Sequence, residues 1–166
     1  ETVIYKDRRG SSKRLRKLMQ GDLFPFPKDE LVIGHYINSF TSNDSIVLDF
    51  FSGSATTAHA VMQQNAEDGG NRKFIMVQLP ELTAEDSEAY KAGYDNICEI
   101  GEERIRRAGE KIKEEHPEVA DTLDTGFRVF RLDDSNFNPG VKASPSEYNQ
   151  QQLDLFADNI KSDRND

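Results

Sequence analysis

The stretch "SIVLDFFSGSATTAHAVMQQNAEDGGNRKFIMVQLP", residues 45–80, organises the fold. "SIVLDFF" is a continuous apolar run containing β-branched residues, the pattern of a strand covered on both faces. Over residues 56–67, Ala58, Val61, Met62 and Asn65 recur at helical spacing. "DGGNR" is turn chemistry, with two glycines free to take positive φ. "KFIMVQL" is a second apolar strand, closed by Pro80. A strand–helix–strand unit with connections this short predicts two neighbouring, parallel strands.

Outward from this unit the elements continue. "DELVIGHYINSF" places Val32, Tyr36 and Phe40, with Ile33 and Ile37 alongside, on a broad helical face, and "TSND" reads as the loop that follows. Ile97, Gly101, Ile105, Ala108 and Ile112 trace one face of a long helix that Pro117 limits. Glu102–Arg106 and Glu103–Arg107 can pair on its outside. "GFRVFRLDD", residues 126–134, reads as a strand whose faces are ambiguous. Beyond Asn136 the chain turns to Pro, Ser, Asn and Gln, which predicts a linker over 138–150 and a polar tail with one short helix, "QLDLFADNI". The sequence carries no internal repeat.

At 166 residues the chain suits one domain with a real core. No apolar run reaches the ~18 residues of a membrane span, and no signal-peptide pattern follows Glu1. A membrane role is not expected, and the cytoplasm is. Cys98 stands alone, so no internal disulfide forms, in keeping with a reducing compartment. His35, His59 and His116 are scattered without metal-ligand spacing, so no metal is expected. The net charge of −9 hides an asymmetry: residues 1–28 hold eight Lys/Arg against three Asp/Glu, and the remainder thirteen against twenty-seven. The cluster "KDRRGSSKRLRK" reads either as a phosphate contact or, as charge alone favours, a solvated basic arm over residues 1–22.

A Gly-rich turn between a parallel strand and a helix is where open α/β sheets bind ligands. A P-loop requires Gly-Lys-Ser/Thr after the turn, and here Ala55-Thr56-Thr57 stands instead. A dinucleotide fingerprint requires three spaced glycines, and "GSATTA" keeps only the first. An adenosyl ligand with an amino-acid tail fits better. Asp49 suits a positive ammonium group, Phe50 or Phe51 an apolar wall, and Gly53 and Ser54 offer backbone donors and a hydroxyl. The same residues read about equally well as a capping acid followed by core phenylalanines.

The segment "LDFFSGSATTAHAVMQQNAEDGGNRKFIMVQLPE" resembles the S-adenosylmethionine-binding motif of the amino-methylating DNA methyltransferases. It is most similar to that of the modification (Mod) subunits of type III restriction–modification systems, where an Asp-x-Phe-x-Gly-Ser-Gly-Thr-Thr turn precedes such a helix and strand. "FPFPK" resembles the family's upstream cofactor motif, and "ICEIGEERIRRAGEKI" and "GFRVFRLDDSNF" resemble Mod C-terminal sequence. The likeness runs over residues 24–136.

The resemblance implies an α/β fold: part of a Rossmann-like S-adenosylmethionine-dependent methyltransferase with a mainly parallel sheet over residues 23–137, followed by a polar linker and tail over 138–166. It implies that Asp49, Phe50, Phe51, Gly53, Ser54 and Thr56 form the cofactor turn, and that Phe26 and Lys28 help hold the methionine end. Gln78, with Glu81 nearby, occupies the position where many relatives place an acid on the ribose hydroxyls; an amide accepts there without the charge-assisted gain. The implied partners are DNA through the complete enzyme, a second Mod copy and a restriction (Res) subunit.

Two departures stand out. Ala55 replaces the family's second glycine, at a cost of ~1 kcal/mol or more if that position needs positive φ. The catalytic Asp-Pro-Pro-Tyr segment, which in the family holds the target amino group, is not among these residues. The expectation is therefore the cofactor-binding portion of a DNA adenine-N6 methyltransferase, inactive alone and with no catalytic residue of its own. The alternative is a non-catalytic remnant serving as a DNA-binding or interaction module; an ordinary Rossmann-like nucleotide binder ranks behind both.

Overall fold

The computed structural model describes residues 8–133, within two units, Glu1–Gly126 and Phe127–Asp166. In the first unit, β1 (Ile46–Asp49) and β2 (Lys73–Met76) lie side by side in parallel, Ile46 opposite Lys73 and Asp49 opposite Met76. Helix α3 (Thr56–Asp68) crosses between them and stops at Gly69, whose φ of 69° is the left-handed conformation a helix end favours in glycine. The expected α/β class and parallel pairing are present.

Helix α2 (Glu30–Phe40) starts at Asp29, whose carboxylate accepts from Leu31 N at 2.9 Å. Its Ile33 and Ile37 pack with Ala60 and Val61 of α3 onto Val47 and Phe74, covering one face of the sheet. The other face carries Ile46, Leu48, Ile75 and Val77, all exposed. The expectation of a sheet covered on both faces is thus corrected. An apolar run marks both faces as suited to burial, and among the described residues of the first unit no layer lies on the second.

Helix α5 (Ile97–Glu115) begins at Asn96, whose amide oxygen accepts from Cys98 N at 3.0 Å and Glu99 N at 3.3 Å. Within the segment expected to be a solvated arm over residues 1–22, residues 8–19 form a docked helix, α1 (Arg8–Met19). Leu15 and Met19 meet Leu23, Ile100 of α5 and Ala89 of the short α4 (Glu88–Lys91) in a second core, with Phe24 and Tyr94 packed against it. Arg107 Nη1 donates to Met19 O at 2.7 Å, closing the C-terminus of α1. Buried Arg72, just before β2, donates to Thr41 Oγ1 at 2.9 Å, Asn43 Oδ1 at 3.1 Å and Asp68 Oδ1 at 3.0 Å, joining three chain segments. That contact holds the Asp68 carboxyl below its usual range.

In the second unit, residues 127–133 form no strand, against the expectation for 126–134. A strand needs a ladder partner, and among the described residues none pairs with this segment. The linker and short helix expected beyond residue 137 lie outside the described residues, as does the start of the basic segment. Among the described residues, no helix is long and apolar enough to cross a membrane.

Candidate functional site

The turn between β1 and α3 is built by backbone first. Ser52 N donates to Val77 O at 3.2 Å and Ala55 N to Ser52 O at 2.8 Å, so the turn is tied to the exit of β2 and closed on itself. Gly53 has φ 52°, and a β-carbon there would meet the Phe24 ring at 3.3 Å. The upstream "FPFPK" segment therefore touches the turn through Phe24. Ala55, with φ 56° and ψ 40°, is left-handed and caps α3 with no side-chain hydrogen bond. This is the condition under which alanine is strained relative to glycine.

The residues singled out from sequence fall into two sets. Asp49 ends β1; its Oδ2 accepts from Thr57 Oγ1 at 2.6 Å and its Oδ1 from Phe51 N at 3.2 Å. The carboxylate is thus held in one orientation, half-buried at the carboxyl end of the sheet. Phe50, Phe51 and Phe26 are 63%, 81% and 91% exposed, which is far from a core role for any of them. Phe26 is itself left-handed, at φ 55°. Lys28 is exposed and has no salt bridge among the described residues. Gln78 follows β2 and accepts from Gly53 N at 2.7 Å through Oε1, while its amide nitrogen donates to Leu79 O at 3.2 Å. Its oxygen is engaged in shaping the turn.

Ser54 and Thr56 form the second set: they are buried and face inward. Both hydroxyls accept from Arg104 of α5, whose Nη1 lies 2.9 Å from Ser54 Oγ and 2.7 Å from Thr56 Oγ1. Arg104 is 1% exposed, and burial pushes its guanidinium down to about 10 against the pull of Glu30. Sequence reasoning passed over this residue. The available signal was its spacing: Arg104 lies three residues after Gly101 and four before Ala108, on the apolar face, where a cation needs buried partners.

Glu81 sits on the loop that pins β2 to α5, its carbonyl accepting from Ile97 N at 3.0 Å. A separate groove between α1, α2, α3 and α5 is lined by Lys17, His35, His59, Gln63 and Glu67, and does not include the turn. Buried His59 carries no hydrogen bond on Nδ1 and is pushed down to about 3 by its burial, with Arg104, Lys111 and Arg14 adding to the effect.

In chemical terms the first set brings a fixed carboxylate, two water-facing aromatic rings, Phe50 and Phe51, and bare backbone to the carboxyl ends of two parallel strands. That combination fits a ligand with a flat aromatic part and a cationic amino-acid end. Residues 2–110 match the DNA methylase family, N6_N4_Mtase. The chain is 37% identical over 159 residues to the Mod subunit of the type III restriction-modification enzyme StyLTI of Salmonella typhimurium, a match covering 93% of this chain and 22% of that protein. It is 35% identical over 133 residues to the EcoP15I Mod subunit of Escherichia coli, covering 79% of this chain and 19% of that one. It is 33% identical over 105 residues to the type II methyltransferase M.KpnI of Klebsiella pneumoniae, covering 63% and 25%. The chain spans about a fifth of the length of the Mod relatives it matches.

Proposed function

The chain belongs to the DNA methylase family, and from that premise we propose that it is the S-adenosylmethionine-binding portion of a type III Mod methyltransferase that modifies adenine N6 in DNA. The observation that carries this reading is that Asp49, Phe50 and Phe51 lie at the carboxyl end of β1 beside the Gly53–Ala55 turn, with Phe24 of the upstream segment against Gly53. Such a site belongs to a Rossmann-like sheet, of which β1 and β2 supply two strands.

On this reading, Asp49 meets the ligand's ammonium group, and its bonds to Thr57 and Phe51 keep the carboxylate aimed. Phe50 and Phe51 wall the adenosyl part, and Phe26 and exposed Lys28 help hold the methionine end. Gln78 fixes the peptide of Gly53. Ser54 and Thr56 act at one remove, through the shape of the turn. Bound there, S-adenosylmethionine supplies an activated methyl group; these residues bind and orient it. The Asp-Pro-Pro-Tyr segment that the family uses on the target base is not among these residues, so the chain by itself transfers no methyl group. DNA, a second Mod copy and a Res subunit are partners of the complete enzyme. The alternative, a non-catalytic remnant serving as a DNA-binding or interaction module, draws less support from the basic segment, where Arg14 is paired with Asp29 and Glu30, and Arg16 with Asp22.

Calorimetric titration with S-adenosylmethionine tests the proposal. The chain should bind one equivalent saturably, and Asp49→Ala should weaken binding about tenfold or more, the loss of one charge-assisted contact. Absence of binding by the unmodified chain, or methyl transfer to DNA by it alone, would refute the corresponding part.

A further inference from the structure

We propose that Arg104 is a positioning residue for this turn: from beneath, it grips the residues on either side of left-handed Ala55 and so presets the backbone that the ligand meets. The inference rests on reading the turn as the cofactor site. Its basis is geometric. One terminal nitrogen, Nη1, reaches Ser54 Oγ at 2.9 Å, Thr56 Oγ1 at 2.7 Å and Ser54 O at 3.4 Å. These acceptors come from the two neighbours of the one residue in the turn whose backbone is strained for its side chain.

The other partners of the guanidinium are sparse. Nη2 lies 3.8 Å from Glu30 Oε2, and Glu30 is shared with Arg14. Nε is buried with no partner among the described residues. A buried cation with an unsatisfied donor is a poor way to fill a core, and an apolar side chain of similar volume serves packing better. The cation also stands at the N-terminal end of α3, where the helix dipole disfavours positive charge. Packing and helix electrostatics both argue against an arginine here, whereas control of the Ser54–Thr56 backbone accounts for it. Because α3 has no side-chain cap of its own, Arg104 on Thr56, beside Asp49 on Thr57, holds its first residues from the side.

The test uses the 166-residue chain with Arg104→Gln and Arg104→Lys, each alone and combined with Ala55→Gly. Backbone amide hydrogen exchange is read without ligand, and S-adenosylmethionine affinity by calorimetry. Arg104→Gln should speed exchange at Gly53 and Ala55 by about tenfold while the central amides of α5 keep their protection. Arg104→Lys, which retains one charged donor, should fall between. Adding Ala55→Gly should restore part of the lost protection, because glycine needs no holding in the left-handed conformation. Affinity should fall in step with the exchange at the turn. Uniformly faster exchange throughout the chain, or no change at Gly53 and Ala55 in either variant, would overturn the proposal. If Arg104→Gln fails to fold, the Arg104→Lys profile decides by the same criterion. Should the unmodified chain not bind S-adenosylmethionine, the functional reading fails, while the exchange data still decide whether Arg104 governs the turn.

Discussion

Gly101 on α5 carries no side chain at the point where Ala55 lies against it: a β-carbon there would sit 3.4 Å from Ala55 Cβ and 3.3 Å from Gly53 O. The long helix therefore approaches the turn closely enough to sense its shape, and only the absent methyl makes room. Backbone on the far side gives way less readily than the end of a flexible side chain.

This contact predicts an ordering among three glycine-to-alanine substitutions in helices. In an open helix position the change stabilises by up to about 1 kcal/mol. Gly34 in α2 meets nothing within 4 Å, so Gly34→Ala should show that gain. Gly101→Ala should show none, because the new methyl presses on the turn. Gly109→Ala, whose β-carbon would fall 2.8 Å from Thr125 Cβ, should lose roughly 1–3 kcal/mol, and Thr125→Gly should relieve it. Urea midpoints of the four chains give the order directly; equal gains at all three positions would contradict it.

Ala55 presents opposing terms that nearly cancel. Replacing it by glycine relieves about 1–2 kcal/mol of left-handed strain. Against this stand roughly 0.5–1 kcal/mol of added unfolded-state freedom and about 0.8 kcal/mol for one buried methyl. Ala55→Gly should therefore move stability by less than about 1 kcal/mol. Ala55→Val, β-branched in a conformation that such residues avoid, should cost about 2–4 kcal/mol. A near-neutral valine would show that the turn is not held left-handed in solution.

The contrast between these positions shows what sequence could and could not reveal. The two strands and α3 were legible because their apolar runs and helical spacing are local, and the Gly69 stop is a local signal too. Ala55 was legible as a condition, since the resembled motif has glycine there. Helix α1 was not: its cations dominate the composition, and the Leu15 and Met19 face gains meaning only from Ile100, about eighty residues on. Arg104 was legible only as a cation on an apolar helical face; its acceptors Ser54 and Thr56, lying far upstream, were not. The bare second face of the sheet could not be foreseen, because an apolar run does not say which layer covers it.

Arg72 offers a prediction away from the turn. Its guanidinium joins the end of α2, the loop before β1 and the end of α3, and its own backbone N–H and C=O are bonded to the Asn65 side chain. Arg72→Met should keep the backbone pair yet leave Thr41, Asn43 and Asp68 without their shared donor, at a cost of about 2–4 kcal/mol. Arg72→Lys should cost less, since it keeps the charge and loses the fork. Chemical denaturation of both variants measures this, and a loss below about 0.5 kcal/mol for Arg72→Met would mean that water replaces the network freely.

His59 sets an acid limb on stability whose direction follows from proton counting. Burial first, then Arg104, Lys111 and Arg14, push its imidazole from 6.5 down to about 3 in the folded chain. Once pH drops below the ordinary value, the unfolded chain takes up a proton at His59 that the folded chain refuses. The stability from a neutral His59 is therefore complete above about pH 6.5 and is lost progressively as pH falls toward about 3. The slope should approach about 1.4 kcal/mol per pH unit between roughly pH 6 and 5, above the range where most carboxylates titrate. His59→Gln, which cannot take up that proton, should flatten this part of the profile even if it lowers stability at neutral pH. Urea unfolding across the interval, run on both chains, would count against the argument if the two profiles stayed parallel.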